Sequence, residues 1–338
     1  MSATLPISVH NTYVDLREAH QMRTITDLDG TPAKKTLPRG EYWYARRRIG
    51  DRIVERYIGP DNEETRRRIG QLTAEREDRK AFEKRCSLLV AQLRAAGLPA
   101  LDRDTGKVLG AVAKCGAFRL GATLVGTHAF RLYDAELGVI LPAQLGGTQD
   151  IDLAAFENLK LVINDTVDPT LAETFFALGL EAVPGLDRRN RPTRWRMRAG
   201  GAMVDFLAPK MQDRDDIVKL EPLGVFAQAL PFLNFLIADP IPAVALYREG
   251  VLVQVPRPER YAVHKLIVAE RRSGVGAAKA VKDRAQAAAL IEILAADRPG
   301  ELAAAWQTAH AAGPAWREAL DAARRRQPDV VAQIDTLL

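Results

Sequence analysis

Three aspartates stand inside runs that would otherwise read as core strand. Asp150 and Asp152 lie in Thr148-Gln149-Asp150-Ile151-Asp152-Leu153, and Asp205 lies in Met203-Val204-Asp205-Phe206-Leu207. Side chains alternate along a strand, so Asp150 and Asp152 share one face about 7 Å apart, while Ile151 and Leu153 take the other. Such a chain must turn these carboxylates to water or supply a counter-charge. Two carboxylates about 4 Å apart repel by roughly 4 kcal/mol at an effective dielectric of about 20, and burial adds to the cost. A divalent cation is the natural compensation, and hard oxygen donors select Mg²⁺ or Mn²⁺. The plainer reading of Asp150-x-Asp152 is a solvated face of an antiparallel strand. The apolar neighbours of Asp205 weigh against that reading for the third acid.

A second feature lies upstream. An apolar strand, 122–125, ends in Leu124-Val125, and Gly126-Thr127-His128-Ala129-Phe130 opens a helix at once. Helix N-termini present free N–H groups and a positive dipole end, which suit phosphate oxygens. Gly126 allows close backbone approach, and Thr127 adds a hydroxyl. A threonine N-cap is the plain alternative.

The rest of the chain supplies a frame. From residue 98 helix and strand signals alternate: helix 105–119, strand 122–125, helix 128–137, strand 149–155, helix 169–178, and strands 194–198 and 202–207 joined at Gly200-Gly201. A hairpin, 243–248 with 251–255, turns at Glu249-Gly250, and helices are expected over 258–272, 277–296, 300–312 and 314–325. Upstream, Tyr42–Ile49 and Arg52–Ile58 read as a β-hairpin about Gly50-Asp51. A long helix over 63–96 follows, with Ile69, Leu72, Phe82, Leu88, Leu89 and Leu93 as its apolar stripe. Residues 1–40 show only weak alternation. Ser273-Gly274-Val275-Gly276 lacks a following Gly-Lys-[Ser/Thr] and reads as an interhelical loop.

Composition narrows the class. The 338 residues suffice for two or three domains, and 47% hydrophobic with 27% charged residues excludes a disordered, collagen-like or rod-like chain. Two cysteines, Cys86 and Cys115, exclude a disulfide scaffold, and the five histidines show no metal-ligand spacing. The longest apolar stretch, Leu223–Ala238, is broken by Gln228, Pro231 and Asn234, so no membrane span is expected. No secretory pattern opens the sequence, and a cytoplasmic location is the default expectation. The net charge of +5 is segregated: residues 1–97 carry 19 Lys and Arg against 14 Asp and Glu, whereas the other 241 residues hold 29 of each. A phosphate-rich partner would favour that pattern. A solvated helix face is the alternative.

Strand–Gly-[Ser/Thr]–helix, a strand with Asp-x-Asp, and a later strand with one Asp together resemble the DNA polymerase β-like nucleotidyltransferase superfamily. Within it, Gly126-Thr127-His128-Ala129-Phe130, Tyr133, Leu137-Gly138 and Thr148–Leu153 are similar to a bacterial group of nucleotidyltransferases. So are Val204-Asp205-Phe206-Leu207-Ala208-Pro209 and Val255-Pro256-Arg257-Pro258-Glu259-Arg260-Tyr261-Ala262-Val263-His264-Lys265-Leu266. The similarity covers about residues 105–295. The chain departs from the superfamily in having Gly-Thr for the commoner Gly-Ser, and in a longer gap to Asp150, which the Pro142–Gly147 loop can absorb.

The resemblance implies two Mg²⁺ (or Mn²⁺) ions, with Asp150 and Asp152 holding both and Asp205 holding the catalytic one and serving as a candidate base. It implies nucleotide contacts from Gly126, Thr127, Lys265 and Lys282, with Lys279 on the same helix face as Lys282. The expected fold is α+β: a nucleotidyltransferase-type mixed sheet over 98–220, preceded by the basic hairpin and long helix of 1–97, and followed by a hairpin and helical region over 221–338. The expected activity is Mg²⁺-dependent transfer of a nucleoside monophosphate from an NTP, such as ATP, to an acceptor hydroxyl. The basic N-terminal region favours RNA as the acceptor, with a protein acceptor also open. A catalytically silent nucleic-acid-binding protein of the same fold and a metal-dependent nuclease are the rivals.

Overall fold

Period-2 runs and helical stripes each find their partner in the computed structural model, which describes residues 3–22, 31–37, 40–49, 52–157, 167, 169–185, 187, 189–211, 216–272 and 276–338. The N-terminal part comprises β1 (Ala3–Thr4), α1 (Ile7–Gln21), β2 (Thr31–Leu37), β3 (Gly40–Ile49), β4 (Arg52–Pro60) and α2 (Glu63–Ala95). Next come α3 (Arg103–Lys114), β5 (Thr123–Val125), α4 (Gly126–Glu136), β6 (Val139–Ile140), β7 (Asp150–Ala154), α5 (Leu171–Ala177), β8 (Leu180–Val183), β9 (Arg194–Met197) and β10 (Met203–Pro209). They are followed by β11 (Ile217–Leu220), β12 (Val225–Leu230), α6 (Leu233–Leu236), β13 (Ile241–Ala245) and β14 (Val251–Val255). The chain closes with α7 (Pro258–Arg271), α8 (Ala277–Asp297), α9 (Pro299–Ala311), α10 (Pro314–Arg326) and α11 (Pro328–Asp335).

The fold is α+β with a mixed sheet. β7 pairs with β5 antiparallel and with β10 parallel. β10 changes neighbours along its length: Met203–Asp205 pair antiparallel with β9, and Leu207–Pro209 pair parallel with β12. Asp205 therefore lies where the sheet opens beside β10. Beneath the strands lies one core that takes in Phe130, Tyr133, Phe175, Phe206 and Tyr261 and continues through α7–α11 to Ile334. No helix among the described residues is long and apolar enough to cross a membrane.

The expected hairpin forms as β3–β4, with Ile49 opposite Arg52, and gains a third strand, β2. Gly50 and Asp51 lie outside the described residues, as do Ser273, Gly274 and Val275. The long helix starts where Asn62 caps it, its side chain accepting the Thr65 N–H at 2.9 Å. Its expected stripe holds in part: Leu93 is buried and Phe82 and Leu89 pack against the same core, while the Leu72 side chain lies outside the described residues. Cys86, Val90 and Leu93 are buried, whereas Leu88 is 61% exposed. The reason is α1, which the weak alternation of residues 1–40 concealed: its Tyr13 and Leu16 select the Cys86–Val90–Leu93 face. Strands β8, β11 and β12 and helix α11 were likewise not expected. They are short, and their pattern is legible only beside the neighbours they pair with.

Asp134 shows how burial sets a pH dependence in this core. It is 1% exposed, and its Oδ1 accepts the Leu141 N–H at 2.8 Å, tying α4 to the segment after it. Burial raises its pKa to about 6, against the pull of the Leu141 hydrogen bond and Arg131. The folded value lies above the unfolded one, so the native state binds the extra proton, and stability falls as pH rises from about 4 through about 6. Asp134→Asn keeps the acceptor and cannot ionise. Urea unfolding should show the variant gaining on the wild type by up to about 3 kcal/mol between about pH 4 and about pH 8. A constant gap would contradict this account.

Candidate active site

Strand alternation aims the acids as their local sequence predicts. On β7, Ile151 and Leu153 are buried at 0% and 1% exposure, and Asp150 and Asp152 occupy the opposite, half-buried face. Parallel pairing sets Asp205 directly beside Asp152 and Met203 beside Asp150. Neighbouring strands lie about 4.8 Å apart, so the three carboxylates share one patch of the sheet. Asp205 itself alternates cleanly: Val204 and Phe206 point into the core, and Asp205 does not. The apolar setting read from its neighbours belongs to the other face. Its counter-charge is Arg194, the residue opposite it on β9, whose Nε and Nη2 donate to the two Asp205 oxygens at 2.5 and 2.7 Å.

Asp152 carries the electrostatic tension of the group. Burial, and then Asp205 and Asp150, raise its pKa to about 7 against the pull of Lys265 and Lys279. It is also pressed by the backbone. Gly126 has φ +67°, and a Cβ built there would stand 2.2 Å from Asp152 Oδ2. Only glycine fits this place, for both the left-handed backbone and the carboxylate against it. Gly126→Ala should cost about 1–3 kcal/mol of stability and displace Asp152. Thermal unfolding would check it, and an alanine variant with unchanged melting would refute it.

Helix α4 begins at Gly126 itself. Its N-cap position is Val125, with no side-chain cap, so Thr127 lies inside the first turn rather than capping it. Gly126 and Thr127 stay partly exposed beside the acids. The next residue, His128, is 7% exposed, and its Nε2 has no hydrogen-bond partner. Burial lowers its pKa to about 4, so the ring is neutral at neutral pH.

Helices α7 and α8 close the back of the site. Tyr261 donates its hydroxyl proton to the Gly126 carbonyl at 2.9 Å, which fixes the turn from α7. Lys265 on α7 is 8% exposed and meets Asp283 on α8 at 2.5 Å, and Arg272 meets the other Asp283 oxygen at 2.6 Å. Burial lowers the Lys265 pKa while Asp283 holds the charge in place. Lys282 donates to the Gly147 carbonyl at 2.7 Å, and Gln286 Nε2 donates to Leu145 O at 2.8 Å, so α8 holds the loop that leads into β7. Neither lysine extends free into solvent. Lys265 is an internal ion-pair partner near Asp152, and Lys282 is a loop clamp whose charge is felt at His128.

The donor set bears on a metal. Three carboxylates on adjacent strands suit a hard cation, and the raised Asp152 pKa is the condition such a cation relieves. Asp150, Asp152 and Asp205 are the residues that would hold it. As the side chains stand, no group of three or more His, Cys, Asp or Glu among the described residues is gathered into a metal-holding cluster. Arg194 engages both Asp205 oxygens instead.

A family model described as a nucleotidyltransferase matches residues 103–311, a span that holds all the residues described above around the acids. The chain belongs to this nucleotidyltransferase family. A second model, a domain of unknown function (DUF6788), matches residues 13–67. Searches of curated proteins and of solved structures give no significant match.

In this nucleotidyltransferase the fold brings Asp150, Asp152, Asp205, Gly126 and Thr127 to one region, with Lys265 behind them and Lys282 at the loop. Sequence reasoning missed Arg194. Counting back from a turn at Gly200-Gly201 sets Arg196 opposite Asp205; the register that forms, with Met203 opposite Arg196, lies two residues away and sets Arg194 there. Tyr261 and Gln286 gave no local signal, because Gly126 and Leu145 lie far away in sequence, and Asp283 gave none because helix packing decides which faces of α7 and α8 meet.

Proposed function

We propose that this nucleotidyltransferase moves a nucleoside monophosphate from an NTP to an acceptor hydroxyl, with Mg²⁺ or Mn²⁺ ions held by Asp150, Asp152 and Asp205, as in DNA polymerase β-like enzymes. The observation that carries the reading is the pairing of Asp152 with Asp205 on parallel strands, with Gly126 against the Asp152 carboxylate. Bound cations would supply Lewis-acid polarisation of the phosphates and of the attacking oxygen. The first turn of α4, from Gly126 and Thr127, offers N–H groups and a hydroxyl to phosphate oxygens. Lys265, Lys279 and Lys282 add positive potential over the acids, where negative charge grows as pyrophosphate leaves. Asp205 stands as the base toward the acceptor hydroxyl.

RNA is the acceptor we favour, on the charge excess of residues 1–97. Some of the cations pair with acids of the same region, already counted against the excess: Lys34 with Glu41 and Asp61, Arg66 with Asp61, and Arg46 with Glu55. Trp43 Nε1 also donates to Asp61, at 2.9 Å. The surplus is what remains for phosphate.

The test is incubation with each labelled NTP, Mg²⁺ or Mn²⁺, and total cellular RNA or protein. Label in RNA is expected. Label in protein would move the acceptor, shortened RNA would identify a nuclease, and no change would leave a silent binding protein. RNA affinity should fall steeply with salt, and replacing Arg46, Arg47 and Arg48 should flatten the slope by up to about three counterion contacts. Absence of RNA binding at low salt would remove RNA from the reading.

A further inference from the structure

We propose that Arg194 is an exchangeable counter-ion: it occupies Asp205 while the site holds no cation, and passes its two hydrogen bonds to a phosphate of the incoming nucleotide when a cation takes Asp205. This rests on the reading of the acids as metal ligands and adds a residue that reading does not contain.

The geometry has three parts. The Arg194 fork meets Asp205 through two nearly parallel bonds of 2.5 and 2.7 Å, so both carboxylate oxygens are committed. The fork takes one lone pair of each oxygen and sets a positive charge against the carboxylate, so a cation arriving at Asp205 competes with the guanidinium. The Asp205 hydrogen bonds raise the Arg194 pKa, and Asp150 and Asp152 raise it further, so the guanidinium stands within the field of all three acids. Finally, the Arg194 side chain is 50% exposed, against 18% for Asp205. One side of the guanidinium is open to an arriving ligand, and its withdrawal leaves no buried charge behind.

The chemistry then selects the ligand. A guanidinium fork presents two parallel N–H donors, a spacing that a carboxylate and a phosphate satisfy alike. A divalent cation at Asp205 outcompetes a half-exposed guanidinium for the carboxylate and repels it. With Asp150 and Asp152 holding the cation as well, the anion open to the released fork is a phosphate oxygen entering with it. Bond for bond the exchange balances: two N–H···O bonds to Asp205 are lost, two to phosphate form, and no proton moves. Arg196 is also exposed on the same face of β9 and Arg198 follows the strand, but both pair with Glu181, which leaves Arg194 as the arginine there committed to the acids.

Titration of the full-length protein with Mn²⁺, followed by electron paramagnetic resonance without nucleotide, tests this. Asp152→Asn provides the reference for binding at the acids. Arg194→Gln removes the competitor and should bind Mn²⁺ roughly tenfold more tightly than the wild type. With Mn²⁺ saturating, the same variant should bind a non-hydrolysable NTP analogue roughly tenfold more weakly, and Arg194→Lys, which keeps the charge without the fork, should recover only part of that loss. A merely structural arginine would not tighten Mn²⁺ binding when removed. Equal Mn²⁺ affinity in wild type and Arg194→Gln, or unchanged analogue affinity, overturns the exchange and leaves the metal reading standing. Failure of both chains to bind Mn²⁺, or binding that Asp152→Asn does not reduce, overturns the metal reading and the exchange with it.

Discussion

Asp152→Asn yields a folded protein that melts higher than the wild type in chelator and transfers nucleotide at least about a thousandfold more slowly. Two facts about one side chain carry both halves of this expectation. Asp152 is half-buried between Gly126 and Asp205, and burial with Asp205 and Asp150 raises its pKa to about 7. The folded value stands above the unfolded one, so without a cation its contribution is most favourable below about pH 4 and is lost as pH rises through about 7. Asparagine keeps the shape and removes the charge. The gain should therefore be on the order of 2 kcal/mol at about pH 8 and vanish near about pH 4, with the part-exposure of the site already discounted. The same change removes a carboxylate from the donor set, so turnover falls while stability rises. Differential scanning calorimetry at both pH values, run beside the labelled-NTP assay, reads the two effects. A variant that is less stable at high pH, or that turns over normally, contradicts the assignment.

Lys265→Met is expected to have the largest effect on stability. Lys265 and Asp283 have side chains 10% and 5% exposed, and their contact at 2.5 Å closes α7 against α8. Removing one partner of a buried pair leaves the other charged and desolvated, typically at a cost of about 3–5 kcal/mol. Arg272 remains on the second Asp283 oxygen at 2.6 Å and softens the loss, so about 3 kcal/mol is expected. Adding Asp283→Asn should restore more than about 1 kcal/mol of that loss, since the stranded charge is then gone. Urea unfolding of the two single variants and the double variant closes the cycle. Additive costs would show that the pair is not coupled as its geometry requires.

These two side chains also mark how far local sequence reaches. Asp152 was legible as a site residue because strand alternation is a property of adjacent residues: Ile151 and Leu153 settle which way it points. Lys265 was legible as a position beside the acids but not as half of a buried pair. Its partner lies on the next helix, and which face of α8 turns inward depends on α7 and on the loop that Gln286 and Lys282 hold. Asp205 shows the converse. Its apolar neighbours suggested a buried carboxylate, yet they fill the far side of the same strand, and Arg194 answers its charge from β9.

By itself the sequence determined where strands and helices carry their chemistry. Asp150 and Asp152 share a face, Gly126-Thr127 opens a helix at a strand end, a long helix begins at Glu63, and the hairpin strands pair with Ile49 opposite Arg52. Each follows from neighbours within one or two turns, because period and capping are set by covalent geometry and nearby hydrogen bonds. Only the tertiary structure decided that Asp205 stands beside Asp152, that Gly126 has no room for a Cβ beside that carboxylate, that Arg194 holds Asp205, and that Cys86 and Val90 rather than Leu88 face α1. These outcomes belong to contacts between residues far apart in the chain. Burial and counter-charge arise from whatever packs against a side chain, and no local pattern specifies that neighbour.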